Sequence, residues 1–161
     1  MRGAHDVYAE TNPAFCAVVL GEFIRAYLFA RPEGPEVPIA YLALPLALSG
    51  ELAGTFSGTN KNTGLLEWLE RSPEVQVGLA ARVDASLEIV TDAIRFGCFT
   101  GLVAIGDGAY IRLGDKRLKA TAISVLGDES GHTFKRAGRL GYWFAAAGST
   151  RSVFDILGLS L

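Results

Sequence analysis

"LVAIGDGAYIRLGDKRLKATAI", from Leu102 to Ile123, is the stretch on which the fold turns. The hydrophobic period changes inside it, from helical three- and four-residue steps to short runs separated by turn residues. Asp107-Gly108 and Gly114-Asp115 are turn signals. Tyr110, Ile111 and Leu113 suit one short strand, and Leu118, Ala120 and Ala122 suit another. The expectation is a small β-hairpin around Gly114 in a mainly α-helical chain.

Upstream of the hairpin, the periodic segment from Pro73 to about Gly101 carries Leu79, Val83, Leu87, Val90, Ile94 and Gly97 or Cys98 along one stripe. Arg82, Asp84, Glu88, Asp92 and Arg95 occupy its other faces, the pattern of an amphipathic helix packed on one side. Before it, Thr63 is placed to cap a short helix bearing Leu65, Leu66 and Trp68, and Ser72-Pro73 is a second cap-and-start signal. Two helices separated by so little turn sharply against each other. The apolar run "IAYLALPLALSG" with Pro45 at its centre reads as a short buried helix, because a central strand would lose a ladder hydrogen bond there. Helix, short helix, long helix and hairpin over residues 38–122 are the order of a winged helix.

An N-terminal helix over residues 12–31 and a C-terminal helical pair over 129–161 flank this centre, giving a single winged-helix-like domain. Asn12 and Pro13 form a cap and first-turn pair, and "RPEGPEVP" stops the first helix. Downstream, Phe134, Ala137, Leu140, Gly141, Phe144 and Ala145 point one helix toward the core. Gly148 ends it, Thr150 caps a last short helix and Gly158 stops that one.

"GTFSGTNKNTG", Gly54 to Gly64, has the composition of a phosphate-cradling loop. Such a loop needs Lys and then Ser or Thr directly after its last glycine. Lys61 stands three positions after Gly58 and is followed by Asn62, so the spacing fails. The expected role is a connection between helices, with glycine and asparagine supplying backbone freedom.

At 161 residues with half of them apolar, the chain suits one domain with a proper core. A formal charge of −2 supplies no general attraction to DNA or acidic membranes. The most apolar early run is interrupted by Glu22 and Arg25, so no membrane span is expected. Cys16 and Cys98 lie in apolar helical segments far from metal-ligand spacing and read as buried thiols, which places the chain in the cytoplasm.

Nothing in the sequence assembles a catalytic group, metal site or cofactor site. His5 lies near the N-terminus, and His132 follows Glu129 in a polar stretch, where a solvated imidazole is the ordinary case. No G-x-S-x-G elbow is present. Lys116, Arg117 and Lys119 beside the hairpin tip are candidate contacts to nucleic-acid phosphates. They serve equally as charges that block edge-to-edge strand pairing. Asp84, Glu88 and Asp92 would repel a duplex from the long helix. For a protein partner the candidate residues are Arg136, Arg139, Trp143 and Leu159, since Trp and Arg are typical interface anchors. The alternative for Trp143 is packing on the chain's own core.

Several segments together resemble the middle component of bacterial three-component ABC systems: "NPAF", "YLALPLAL", "TGLLEWL", "AIRFGCFTGLVAI" and "RAGRLGYWFAAAGSTRSVFDILGL", spread over about Asn12 to Leu159. The resemblance implies a non-enzymatic adaptor, encoded between an SMC/RecF-like ABC ATPase and an effector protein in a conflict or anti-phage module. It further implies a possible homodimer and DNA contact made within the complex. The competing expectation is a winged-helix DNA-binding regulator acting alone.

Overall fold

The computed structural model describes residues 12–116 and 127–160. Among them are six α-helices and one two-stranded antiparallel hairpin: α1 (Pro13–Ala30), α2 (Val37–Leu48), α3 (Leu65–Arg71), α4 (Leu79–Thr100), β1 (Val103–Ile105), β2 (Ile111–Leu113), α5 (Gly127–Ala147) and α6 (Thr150–Leu157).

The start of α1 follows from its first two residues. Asn12 Oδ1 accepts hydrogen bonds from the N–H groups of Ala14 (2.9 Å) and Phe15 (3.4 Å), and Pro13 occupies the first turn. The helix is long and apolar enough by composition to cross a membrane, yet it is a core element here. Cys16, Ala17, Val19, Leu20, Phe23, Ile24, Ala26 and Tyr27 are buried, while Glu22 and Arg25 pair at 2.6 Å at the edge of the contact with α5, where Glu22 lies against Gly138. That pairing, a hydrogen bond before a charge effect, raises the Arg25 pKa.

The most extensive helix contact is between α1 and α5, with α4 packed on α1 next. Glycine sets how closely the first pair approaches. A Cβ at Gly141 would collide with the Phe23 carbonyl, lie 2.7 Å from Ala26 Cβ and 3.0 Å from the Tyr27 nitrogen. Phe23 and Phe144 fill the space beside this crossing edge to face, with ring centroids 5.5 Å apart.

The segment from Pro73 is not one helix. A single 3₁₀ turn (Pro73–Gln76) is followed by a break at Gly78, whose left-handed φ of 66° ends the turn and opens α4 at Leu79. Within α4, Leu79, Val90, Ala93, Ile94 and Gly97 are buried, Val83 is half-buried, and Leu87 and Cys98 are exposed. Cys98 is therefore not the buried thiol expected from its apolar neighbours. Neither cysteine is in a disulfide, and Cys16 is buried in α1.

The hairpin is shifted relative to the sequence reading. Ile111–Leu113 does form a strand, but its partner precedes it: Val103 faces Leu113, Ala104 faces Arg112 and Ile105 faces Ile111. The turn is at Asp107–Ala109, where Gly108 and Ala109 take φ values of 73° and 60°. Gly114 is not a turn tip. Its N–H donates to the Leu102 carbonyl at 3.0 Å, and a Cβ there would collide with the Gly101 carbonyl. Close backbone approach is the reason for glycine at that position. The strand expected at Leu118–Ala122 lies outside the described residues. On the other edge of β2, the Ile111 N–H donates to the Pro35 carbonyl at 2.7 Å, which ties the hairpin to the α1–α2 connection.

Two caps also differ by one residue. Thr63 does not cap α3; Gly64 precedes the helix with φ 85°, and the Thr63 hydroxyl instead accepts from the Asn60 N–H at 2.9 Å. Ser149, not Thr150, caps α6 by accepting from the Ser152 N–H at 3.1 Å. The Thr150 hydroxyl is directed to Glu36 at 2.7 Å, linking α6 to the start of α2. Gly158 ends α6 in the left-handed conformation, as expected.

Candidate functional site

The Gly54–Gly64 loop is held by side chains that arrive from α3 and α5. Its first part winds into a 3₁₀ turn, Ala53–Phe56, which buries the Phe56 ring. That ring stacks on Trp143 of α5 at 5.7 Å, with planes 6° apart, and lies 4.9 Å from Trp68 of α3. The two indoles are 5.3 Å apart and neither is accessible to solvent. Each such aromatic pair contributes about 0.5–1.5 kcal/mol beyond simple burial.

Polar groups around the cluster are matched to the loop's backbone. Trp143 Nε1 donates to the Asn60 carbonyl at 2.8 Å and Trp68 Nε1 to the Thr55 hydroxyl at 3.1 Å. Arg139 Nη1 donates to the Phe56 carbonyl (3.1 Å) and to Thr59 Oγ1 (3.0 Å), and Arg71 Nη1 to the Gly58 carbonyl (3.3 Å).

A phosphate cradle requires the opposite arrangement, backbone N–H groups converging on an anion. Here the N–H groups of Ser57, Thr59 and Thr63 donate to carbonyls within the loop, and those of Asn60 and Asn62 to loop side chains. Lys61, the only cation of the loop, sits 5.7 Å over the Tyr142 ring. The loop connects α2 to α3 and is clamped onto α5 by contacts about eighty residues away in sequence.

The candidate partner residues are thereby located. Trp143 is fully buried as the centre of the clamp. Arg136 is 6% exposed; its Nε donates to the Ala47 carbonyl at 3.1 Å and its Nη2 to the Thr133 hydroxyl at 3.0 Å, joining α5 to the end of α2. Arg139 is half-buried against the loop. These three side chains serve contacts within the chain, while half-buried Leu159 lines a surface groove. Of the candidate nucleic-acid contacts, Lys116 is exposed and its N–H donates to the Gly101 carbonyl at 2.9 Å. Arg117 and Lys119 lie outside the described residues, as does His5. His132 is exposed on α5.

The groove is a concave feature of about 610 Å³ between α2, α4 and α6. Val37, Pro38 and Tyr41 form one wall and Ala80, Val83, Asp84 and Leu87 the other, with Phe154 and Leu159 at the α6 side. A hydrogen bond of 2.6 Å between the Tyr41 and Thr91 hydroxyls pins the two walls together. Farther along the same two helices Arg82 of α4 reaches Ser49 (2.8 Å) and Glu51 (3.1 Å). The lining is apolar apart from Asp84, the Tyr41 hydroxyl and Ser160, so the groove suits apolar side chains and not a polar small molecule. Among the described residues no three His, Cys, Asp or Glu side chains gather where they could hold a metal ion.

Large apolar side chains are also exposed outside the groove: Phe99 (92%), Phe29 (75%), Val77 (75%) and Leu66 (61%). The sequence reading named Leu66 among the residues of the short helix and did not single out the other three. Phe99 was nevertheless detectable, because it falls on the side of α4 that carries Asp84, Glu88 and Arg95, opposite the Leu79–Val90–Ile94–Gly97 stripe.

No curated protein and no solved structure gives a significant match to this sequence. Residues 3–161 match the family described as ABC-three component (ABC-3C) system Middle Component 3. The chain belongs to that family, and membership implies association with the other components of an ABC-3C system.

Proposed function

We propose that this protein is a non-catalytic adaptor that bridges an SMC/RecF-like ABC ATPase and an effector protein in a bacterial three-component conflict or anti-phage system. The observation that carries the reading is the family match over residues 3–161, which assigns nearly the whole chain to the middle component.

The reading includes a winged-helix-like arrangement of residues 38–122, in which α2, α3 and α4 precede the hairpin in the order that fold requires. DNA contact belongs to the assembled complex, with Lys116, Arg117 and Lys119 as the contributing cations, and the complex works in the cytoplasm. Three cations alone release too few counterions for strong binding by the free chain.

The test is a tagged purification of this chain from cells that also express its two neighbouring genes, analysed by size exclusion and mass spectrometry at moderate salt. Stable co-elution with the ABC ATPase supports the adaptor. Elution alone, together with salt-sensitive binding to duplex DNA, overturns it in favour of a stand-alone regulator.

A further inference from the structure

Along α4 the groove follows the helical period. Ala80, Val83 and Leu87 form the stripe that lines it, and Asp84 and Glu88, one turn apart and both exposed, run along the outer edge of that stripe. Neither carboxylate has an ion-pair partner within 4.0 Å among the described residues. The acids on either side are matched: Asp92 approaches Arg95 at 4.0 Å, and Asp155 of α6 approaches Arg151 at 3.9 Å. Arg82, which could have offset Asp84, is turned away from the groove to Ser49 and Glu51. α6 also ends at the groove, with Gly158 and Leu159 in the lining, so the negative end of its dipole faces the same opening. The lining contains no lysine or arginine. An apolar trough with negative charge along one rim and at one end is complementary to an apolar surface flanked by positive charge.

The trough also selects the backbone that enters it. The Tyr41 hydroxyl already shares a hydrogen bond with Thr91, which leaves the lining with few polar groups to meet the N–H and C=O groups of an extended peptide. Buried without partners those groups cost free energy, whereas a helix arrives with them satisfied internally. Ala80 and Leu87 are seven positions apart. At a rise of about 1.5 Å per residue the stripe spans roughly 10 Å, two helical turns, which matches anchors at i, i+3 or i+4, and i+7 on an incoming helix.

We propose that the α2–α4–α6 groove is the docking site for a basic amphipathic helix of a partner protein, with its apolar stripe in the groove and lysine or arginine on the flank that meets Asp84 and Glu88. This gives one contact of the adaptor its chemistry, and it rests on the adaptor reading only for which component supplies the helix.

The test titrates the purified full chain into a labelled peptide helix of about four turns, with leucine at i, i+3, i+4 and i+7 and lysine on both flanks, and into a twin with glutamate in place of each lysine. The lysine peptide binds saturably and the glutamate twin does not. D84K combined with E88K weakens the lysine peptide by about tenfold or more and admits the glutamate twin. A80W, which fills the groove, abolishes both. E51K combined with E70K changes the net charge equally outside the groove lining and leaves the lysine peptide bound. All of these side chains except Ala80 are exposed charges and Ala80 is itself exposed, so helical content is unchanged. No binding of the lysine peptide at about 500 µM overturns the proposal, as does binding indifferent to A80W or reduced equally by E51K with E70K. A wild-type dimer that A80W converts to monomer overturns it in favour of a second copy in the groove. In co-purification with the ABC ATPase and the effector, the D84K/E88K and A80W chains lose the component that carries the helix; retention of every component by both variants overturns the proposal. Failure of the wild-type chain to co-purify with either component counts against the adaptor reading, and the peptide titration then decides the groove by itself.

Discussion

Replacing Gly141 with alanine tests the helix pairing at the centre of the molecule. The added methyl meets the Phe23 carbonyl, Ala26 Cβ at 2.7 Å and the Tyr27 nitrogen at 3.0 Å, and two of these three are α1 backbone atoms that no rotamer change can move. The helices must separate, or α5 must slide, along the most extensive contact in the fold. Overpacking of this kind costs about 1–3 kcal/mol, and at a site bounded by backbone the upper part of that range applies. Against it stands the gain of roughly 1 kcal/mol from alanine's higher helix propensity. The net expectation is a loss of about 1–2 kcal/mol. With a urea slope of about 2 kcal/mol/M, the unfolding midpoint falls by roughly 0.5–1 M. Gly131 supplies the internal control, since it lies on the same helix and a Cβ there meets nothing within 4 Å. G131A therefore raises the midpoint, by up to about 0.5 M. A midpoint for G141A equal to or above that of the wild type refutes the close crossing of α1 and α5.

Three further outcomes follow from the same geometry. W143F keeps most of the buried ring but removes the indole N–H that donates to the Asn60 carbonyl, so it costs about 1–3 kcal/mol in urea unfolding; faster proteolysis within Gly54–Gly64 accompanies it, and an unchanged loop contradicts the clamp. Addition of ATP or inorganic phosphate leaves the melting temperature unchanged, because the N–H groups of Ser57, Thr59, Asn60, Asn62 and Thr63 already donate within the loop; a phosphate-induced rise that K61A abolishes restores the phosphate-binding reading. Burial raises the Tyr27 pKa above its ordinary value of 10.0. The stability from keeping that phenol neutral is thus fully present below about pH 10 and is lost as pH rises through the folded value. Y27F flattens the alkaline fall in stability, and an identical pH profile for the variant contradicts the assignment.

What could be read from the sequence was what local chemistry dictates. Asn12-Pro13 and Gly158 mark their helix ends because cap geometry involves only neighbouring residues. Ile111–Leu113 was recognisable as a strand from its composition, but its partner was not, because Val103–Ile105 continues the apolar character of α4 across the Gly101 cap. Gly114-Asp115 looked like a turn for a reason the sequence does not distinguish: glycine is required both where a chain reverses and where two backbones touch, and Gly114 is the second case. Gly78 broke a continuous hydrophobic period that gave no other sign of interruption.

The site was legible in part. Loop spacing argued against phosphate, and the observed hydrogen bonds agree with a connecting role. Trp143 and Arg139 stood out as aromatic and cationic residues at helical spacing, a pattern that fits an outward anchor and an inward clamp equally well. What decides between them is the return of Phe56, Thr59 and Asn60 onto α5 from about eighty residues away, and no local signal encodes that return. The groove is likewise nonlocal, assembled from α2, α4 and α6.

The adaptor claim is tested most directly by a three-component reconstitution. The proposed effector is passed over immobilised ABC ATPase with and without the middle component, at equal protein and salt concentrations. The account predicts that the effector is retained only when this chain is present, in a complex containing all three proteins. Effector bound directly to the ATPase in its absence, or a middle component that washes through both, contradicts it.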